Sequence, residues 1–247
     1  MRSLLCAARA ALIALSMIAG VANASVVIGG TRVVFPAQDR EVTLRLTNRG
    51  DRPALVEAWI DRGNPQSTPD KSDVPFLITP PLFRMEPNRD QSLRIIATQP
   101  QLPLDRESLF WLNVLEVPPK PSASETAGKN LLQFAIRSRL KLFYRPAELT
   151  GDPLKAAGQL TWKVVPASPG FALEAHNPSP FYITIAALSL DVGGKQYAVD
   201  TGMVDPLGTL KLAVKALTRA PASGTPLSYS VINDYGASTT YKGSIAP

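Results

Sequence analysis

Cysteine and histidine are almost absent: the 247 residues hold one of each, Cys6 and His176. One thiol cannot close a disulfide within the chain, and one histidine cannot build the usual His/Cys metal site. No metal site and no cofactor is therefore expected. Catalytic signatures are missing too, with no G-x-S-x-G elbow, no Walker loop and no H-E-x-x-H. Carboxylates do lie close together at Asp105 and Glu107, but no nucleophile and base accompany them. The reading is a non-enzyme. Beyond the N-terminal segment no stretch is long and apolar enough for a transmembrane helix. Charge of one sign is not concentrated either: 26 Lys and Arg face 20 Asp and Glu, a formal net charge of +6. The aromatics are not interleaved with the cations as a base-stacking platform requires, which argues against a nucleic-acid partner.

The first residues read as an export address. Arg2 and Arg9 supply positive charge, residues 10–20 are apolar but short for a bilayer span, and Ala22-Asn23-Ala24 offers small residues to a signal peptidase. Residues 1–24 are expected to be a cleaved signal peptide, with Ser25 opening the mature chain. Cys6 precedes the apolar stretch instead of sitting at the cleavage junction, so a lipoprotein reading fails. The mature chain would then carry no thiol, although an exported compartment permits disulfides.

What is present is alternation. Apolar and polar residues alternate at 42–46, 55–60, 92–96, 110–117 and 131–144, with turn residues such as Asn48-Arg49-Gly50-Asp51-Arg52-Pro53 between them. After Arg145-Pro146 a segment rich in Pro, Gly and Ala gives way to a second series at 160–165, 171–176, 182–190, 196–199, 209–214, 227–233 and 239–243. Short strands at this spacing indicate β-sandwiches, and 23 prolines suit edges and turns rather than helices. Two all-β domains are expected, residues 25–146 and 147–247. His176 ends one of the strand-like runs, where a lone histidine is a structural residue.

Several segments carry a resemblance. Residues 104–119 read Leu-Asp-Arg-Glu-Ser-Leu-Phe-Trp-Leu-Asn-Val-Leu-Glu-Val-Pro-Pro, residues 141–146 Lys-Leu-Phe-Tyr-Arg-Pro, and residues 31–35 Thr-Arg-Val-Val-Phe. Weaker segments are Ile78-Thr79-Pro80-Pro81, Asn177-Pro178-Ser179-Pro180-Phe181-Tyr182 and Asn233-Asp234-Tyr235-Gly236. In this order, across the whole mature chain, they resemble the PapD-like periplasmic pilus (fimbrial) assembly chaperones. The resemblance implies an all-β fold of two immunoglobulin-like β-sandwich domains set at an angle with a cleft between them. It implies residence in the periplasm and two partners, a pilus or fimbrial subunit and an outer-membrane usher. The subunit's own sandwich lacks a strand; the chaperone fills the groove by donor-strand complementation until the usher exchanges it. Whether free chaperone caps its own strand by dimerising is left open.

The resemblance also implies roles for individual residues. Leu132, Phe134 and Ile136 alternate with Gln133, Ala135 and Arg137, so one face is apolar. Periodicity alone would turn that face into the protein's own core; the resemblance makes these the residues donated to the subunit. Leu140 and Leu142 continue the alternation and fit either role. Arg32 and Lys141 are implied to converge in the cleft and hold the subunit's C-terminal carboxylate through charge-assisted hydrogen bonds. Glu107, Arg145 and Asp234 map onto a structural inter-domain charge network, although Asn-Asp-Tyr-Gly is also an ordinary turn sequence. The polar linker at 118–130 is moderate in length, which favours the family branch with a short loop. The rival from another class is an exported structural or adhesive protein, either a pilus subunit or a ligand-binding immunoglobulin-like module. A subunit would show its own N-terminal donor extension before one incomplete sandwich.

Overall fold

The computed structural model describes residues 25–98, 101–122, 128, 130, 132–168 and 170–246. The expected signal peptide at 1–24 lies outside the described residues, as do 123–127, 129 and 131 of the linker region. The first half of the chain forms β1 (Val26–Ile28), β2 (Arg32–Pro36), β3 (Glu41–Asn48), β4 (Ala54–Asp61), β5 (Phe76–Thr79), β6 (Leu82–Met85), β7 (Asp90–Ala97), β8 (Ser108–Val117) and β9 (Ile136–Arg145). They build one sheet in the order β1-β3-β7-β5 and a second in the order β2-β9-β8-β4-β6. A short helix α1 (Pro153–Ala156) follows, its first turn capped by the Asp152 carboxylate, which accepts from Leu154 N at 2.9 Å. The second half forms β10 (Thr161–Pro166), β11 (Phe171–His176), β12 (Ile183–Val192), β13 (Lys195–Ala198), β14 (Gly202–Val204), β15 (Thr209–Ala213), β16 (Pro226–Ile232) and β17 (Ser238–Ser244). Its sheets run β10-β11-β15 and β13-β12-β16-β17, with β14 also paired to β12.

Each half is a sandwich because alternate residues of its strands are apolar and two such faces must bury one another. In the first half Phe35, Leu46, Leu93, Phe110, Leu112 and Leu142 fill the interior; in the second Trp162, Leu173, Ile185 and Leu190 do so. Both domains are thus all-β, as the alternation implied.

One pairing differs from the rest and sets up the site. Strands β2 and β9 run parallel, in the register Arg32↔Lys141 through Pro36↔Arg145, so β2 covers only the last five residues of β9. On its other side β9 pairs antiparallel with β8 along its whole length, from Ile136↔Glu116 to Tyr144↔Ser108. The edge of Ile136 to Leu140 away from β8 is open among the described residues.

The strand expected over 131–144 is shorter at its start, since residues 132–135 lie outside any strand. The cause is in the partner. Strand β8 ends at Val117 and is followed by Pro118 and Pro119, which have no N–H to donate to a ladder. Gln133 instead donates its side-chain amide to the Pro118 and Pro119 carbonyls at 3.2 and 2.7 Å.

Candidate functional site

Alternation along β9 sends even-numbered residues to the sandwich interior and odd-numbered ones to the outer face of the sheet. Leu140 and Leu142 are 5% and 0% exposed, so they belong to the core, which resolves the choice their sequence left open. The same alternation then runs out of cover. Ile136, Phe134 and Leu132 are 48%, 66% and 79% exposed. Three large apolar groups, Ile136 at the start of β9 and Phe134 and Leu132 just before it, therefore lie exposed where the protein provides no core.

The outer face carries a row of four residues set by the pairings of β2, β9, β8 and β4: Arg32, Lys141, Trp111 and Asp61. Arg32 and Lys141, 109 residues apart in sequence, are direct neighbours here. Both reach across to the second domain. Arg32 Nη1 donates to the Ile232 carbonyl at 2.9 Å, and Lys141 Nζ donates to Thr184 Oγ1 at 3.0 Å. Neither has a carboxylate within ion-pairing distance among the described residues, and Arg32 Nε is buried with no acceptor there. Burial, and then the neighbouring Arg32 cation, push the Lys141 ammonium down from 10.5 to about 8. Burial also lowers Arg32, with Asp234 opposing.

The other cations on this face are already satisfied. Arg139 donates to both Asp61 carboxylate oxygens at 2.9 and 3.0 Å and to Asn113 Oδ1 at 3.1 Å. Arg137 donates to Asn113 Oδ1, the Pro65 carbonyl and Ser67 Oγ. Asp61 is buried, which favours its neutral form, but bonds from Asn113, Ser67, Gly63 N–H and Arg139 outweigh this and keep its carboxyl below the usual range. Arg137 and Arg139 also lie over the rings of Trp59 and Trp111, at 4.7 and 4.8 Å from the centroids.

Further along β9, Arg145 bridges two carboxylates from different parts of the chain. Its Nε meets Glu107 Oε1 at 2.7 Å and its Nη1 meets Asp234 Oδ2 at 2.8 Å. Burial works against the Arg145 cation, but Asp234 and Glu107 overcome this and hold its pKa up. Glu107 is almost fully buried, which pushes its carboxyl upward against the pull of Arg145 and the Tyr182 N–H. The turn at 177–182 supplies that N–H. Asn177 is buried and donates to the Phe181 and Asp205 carbonyls, while its Oδ1 accepts from Ser179 N and Oγ. The turn so fixed lets Glu107 Oε2 accept from Tyr182 N at 2.8 Å while Glu107 N donates to the Pro180 carbonyl at 3.0 Å. Asp234 does sit in a turn, closed by Asn233 Oδ1 accepting from Tyr235 N and Ala237 N. That turn is what presents Asp234 to Arg145. Gly236 within it has φ +81° and faces Thr31 of the first domain so closely that a Cβ would collide with the threonine hydroxyl.

Arg32, Glu107 and Arg145 from the first domain and Thr184, Ile232 and Asp234 from the second line a cavity of about 210 Å³ between the sandwiches. Thr184 and the Ile232 carbonyl had no recognisable signal in the sequence, since a threonine in a strand and a main-chain oxygen are unremarkable there. Asp61 and Arg139 were equally silent, and Trp111 stood out only as a letter within a longer motif. The lone His176 is exposed at the end of β11, paired across the sheet with Thr161 and Thr209.

Comparison with known proteins places this geometry. The family described as "Pili and flagellar-assembly chaperone, PapD N-terminal domain" matches residues 25–150, and "Pili assembly chaperone PapD, C-terminal domain" matches residues 155–243. Chaperone protein FimB/FhaD of Bordetella pertussis is 44% identical over 236 residues, covering 94% of this chain and 93% of that protein. The crystal structure of the YadV chaperone superposes with a TM-score of 0.77 at 35% identity, covering 90% of this chain and all of the other. The SafB chaperone, solved in complex with the Salmonella enterica SafA pilin, gives a TM-score of 0.73 at 32% identity over 92% of this chain and 99% of that one. The chain belongs to the PapD-like pilus-assembly chaperones.

Proposed function

We propose that this PapD-like chaperone captures fimbrial subunits in the periplasm, caps them with its residues 132–138 and passes them to an outer-membrane usher. The observation that carries this reading is the exposed apolar continuation of β9 at Leu132, Phe134 and Ile136. Large apolar groups lined up beside an open strand edge suit a client whose sandwich lacks one strand. The client's groove takes the side chains, each worth roughly 1.5–3 kcal/mol when buried, and the main-chain ladder adds attachment that does not depend on sequence.

The parallel pairing of β2 and β9 supports a direction for the client. Strand β2 begins at Arg32, opposite Lys141. A client strand laid along the open edge from Ile136 to Leu140, parallel to β9, ends where β2 begins. Its terminal carboxylate then meets the two cations that lack a carboxylate partner among the described residues. Charge-assisted bonds from both would hold the last residue and set which client side chain falls opposite which chaperone side chain. Glu107, Arg145 and Asp234 act structurally, holding the two domains in the relation that keeps the anchor facing the client. In this reading residues 1–24 direct export and are removed, residues 25–146 carry the donor strand and residues 147–247 form the second wall of the cleft. The role is binding and delivery, not catalysis.

The test is Phe134→Glu, with a fimbrial subunit co-expressed and recovered from periplasmic extracts. Recovery is expected to fall roughly 10- to 100-fold, the equivalent of one lost apolar side chain, with the melting temperature of the free chaperone nearly unchanged. A matching loss of thermal stability would return Phe134 to the protein's own core.

A further inference from the structure

We infer that Trp111 is a positioning residue for the carboxylate anchor, its indole holding the Lys141 side chain at the mouth of the cleft. The inference rests on the anchor reading of Arg32 and Lys141 and adds a residue to it. Trp111 lies directly across from Lys141 in the β8–β9 pairing, and the Lys141 ammonium is 6.0 Å from its ring centroid. Lysine is a point charge on a flexible four-carbon stem, so an unheld ammonium spends little of its time at one place. Here it has the indole face beside it and the Thr184 hydroxyl ahead of it at 3.0 Å.

The same ring also receives a second cation, the Arg139 guanidinium at 4.8 Å. Two cations sharing one indole repel unless one is neutralised. Asp61 does this, accepting twice from Arg139 Nη2 and standing across β8 from Lys141 in the same row. Arg139 is thereby tied to β4, and of the two cations at this ring Lys141 is the one without a carboxylate partner among the described residues. The groups facing Lys141 are Arg32 of β2, Arg139 of β9, Trp111 of β8 and Thr184 of β12.

The experiment uses the full chaperone and the C-terminal strand peptide of a fimbrial subunit that co-purifies with it, made as the free acid and as the C-terminal amide. Wild type is expected to prefer the acid. In Trp111→Leu that preference should shrink by roughly 3- to 10-fold, the size of a half-buried cation–π contact, while affinity for the amide stays unchanged. Trp111→Phe, which keeps an aromatic face, should retain most of the preference and is the variant to read if the leucine form does not fold. Equal loss on acid and amide would make Trp111 a structural residue and overturn the inference while leaving the anchor intact. A phenylalanine variant that falls as far as the leucine variant would also overturn it. Equal binding of both peptides by wild type would overturn the anchor itself, and the Trp111 assignment with it.

Discussion

Arg145 and Lys141 stand four residues apart on the same face of β9, yet their surroundings are opposite. Arg145 is gripped by Glu107 and Asp234, and its charge is fully answered within the protein. Lys141 has a hydroxyl, an aromatic ring and a second cation beside it, but no carboxylate among the described residues. A buried charge left without a counter-ion is costly, and proteins avoid it unless something arrives to answer it. On the proposed reading, the difference separates a cluster that holds the fold from one that binds the client's carboxylate.

The even-numbered side of the strand repeats the contrast in apolar form. Leu140 and Leu142 are enclosed, whereas Phe134 and Leu132, of the same apolar chemistry and just before β9, are exposed. In both cases one end of the strand is complete and the other is unfinished.

The sharpest way to break the comparison is at the complete end. Glu107→Ala leaves Arg145 with only the partly exposed Asp234 and is expected to cost about 3 kcal/mol of stability, the size seen when one partner of a buried pair is removed. Denaturant unfolding measures this; a loss below about 1 kcal/mol would mean the triad is no more than a surface ion pair. At the unfinished end the expectation reverses. Lys141→Ala, or Arg32→Ala, should lower affinity for the subunit about 100-fold or more and leave the melting temperature unchanged or higher, because an unanswered cation has been removed. Subunit protection at wild-type level in periplasmic extracts would sink the anchor.

A smaller effect sharpens the contrast through pH. Free Lys141 titrates near 8, and carboxylate binding requires its charged form. Affinity for a subunit peptide ending in a free carboxylate is expected to be flat below about pH 7 and to weaken as pH rises through 8, about tenfold by pH 9. Lys141→Arg should abolish this dependence, since a guanidinium stays charged throughout. The stability contribution has the opposite sign. Unfolded lysine keeps its proton to 10.5, so the unfolded state binds more protons between about 8 and 10.5, and this group's contribution to stability rises with pH in that window. Calorimetric titration at pH 6.5, 8 and 9 distinguishes a flat profile from the expected fall.

Much of the fold was legible because alternation is a local property. Residues 171–176 were expected as a strand and form β11 with those bounds, and the runs within β3, β4, β7, β8, β12 and β16 were found to within a few residues. Strands β1, β2, β5, β6 and β14 were not, being three to five residues long, although β13, just as short, was found within one residue. The start of the long run at 131–144 was overextended, because Pro118 and Pro119 on the partner strand silence the ladder there and a sequence does not say which segment it will pair with. Arg32 and Lys141 were legible only through resemblance to a family, since nothing beside either residue in the chain distinguishes it from a surface charge.

The sequence by itself determined the all-β class, the alternation that makes one face of β9 apolar and the scarcity of groups for metal or thiol chemistry. These follow from residue type and spacing, which act over a few positions. Only the tertiary structure decided which of the alternating residues are covered and which cations are answered. Burial of Leu142 and exposure of Phe134 depend on where β2 begins, and the difference between Arg145 and Lys141 depends on whether a carboxylate from elsewhere in the chain comes within hydrogen-bonding distance. Both are contacts between segments far apart in sequence, and no local pattern encodes them.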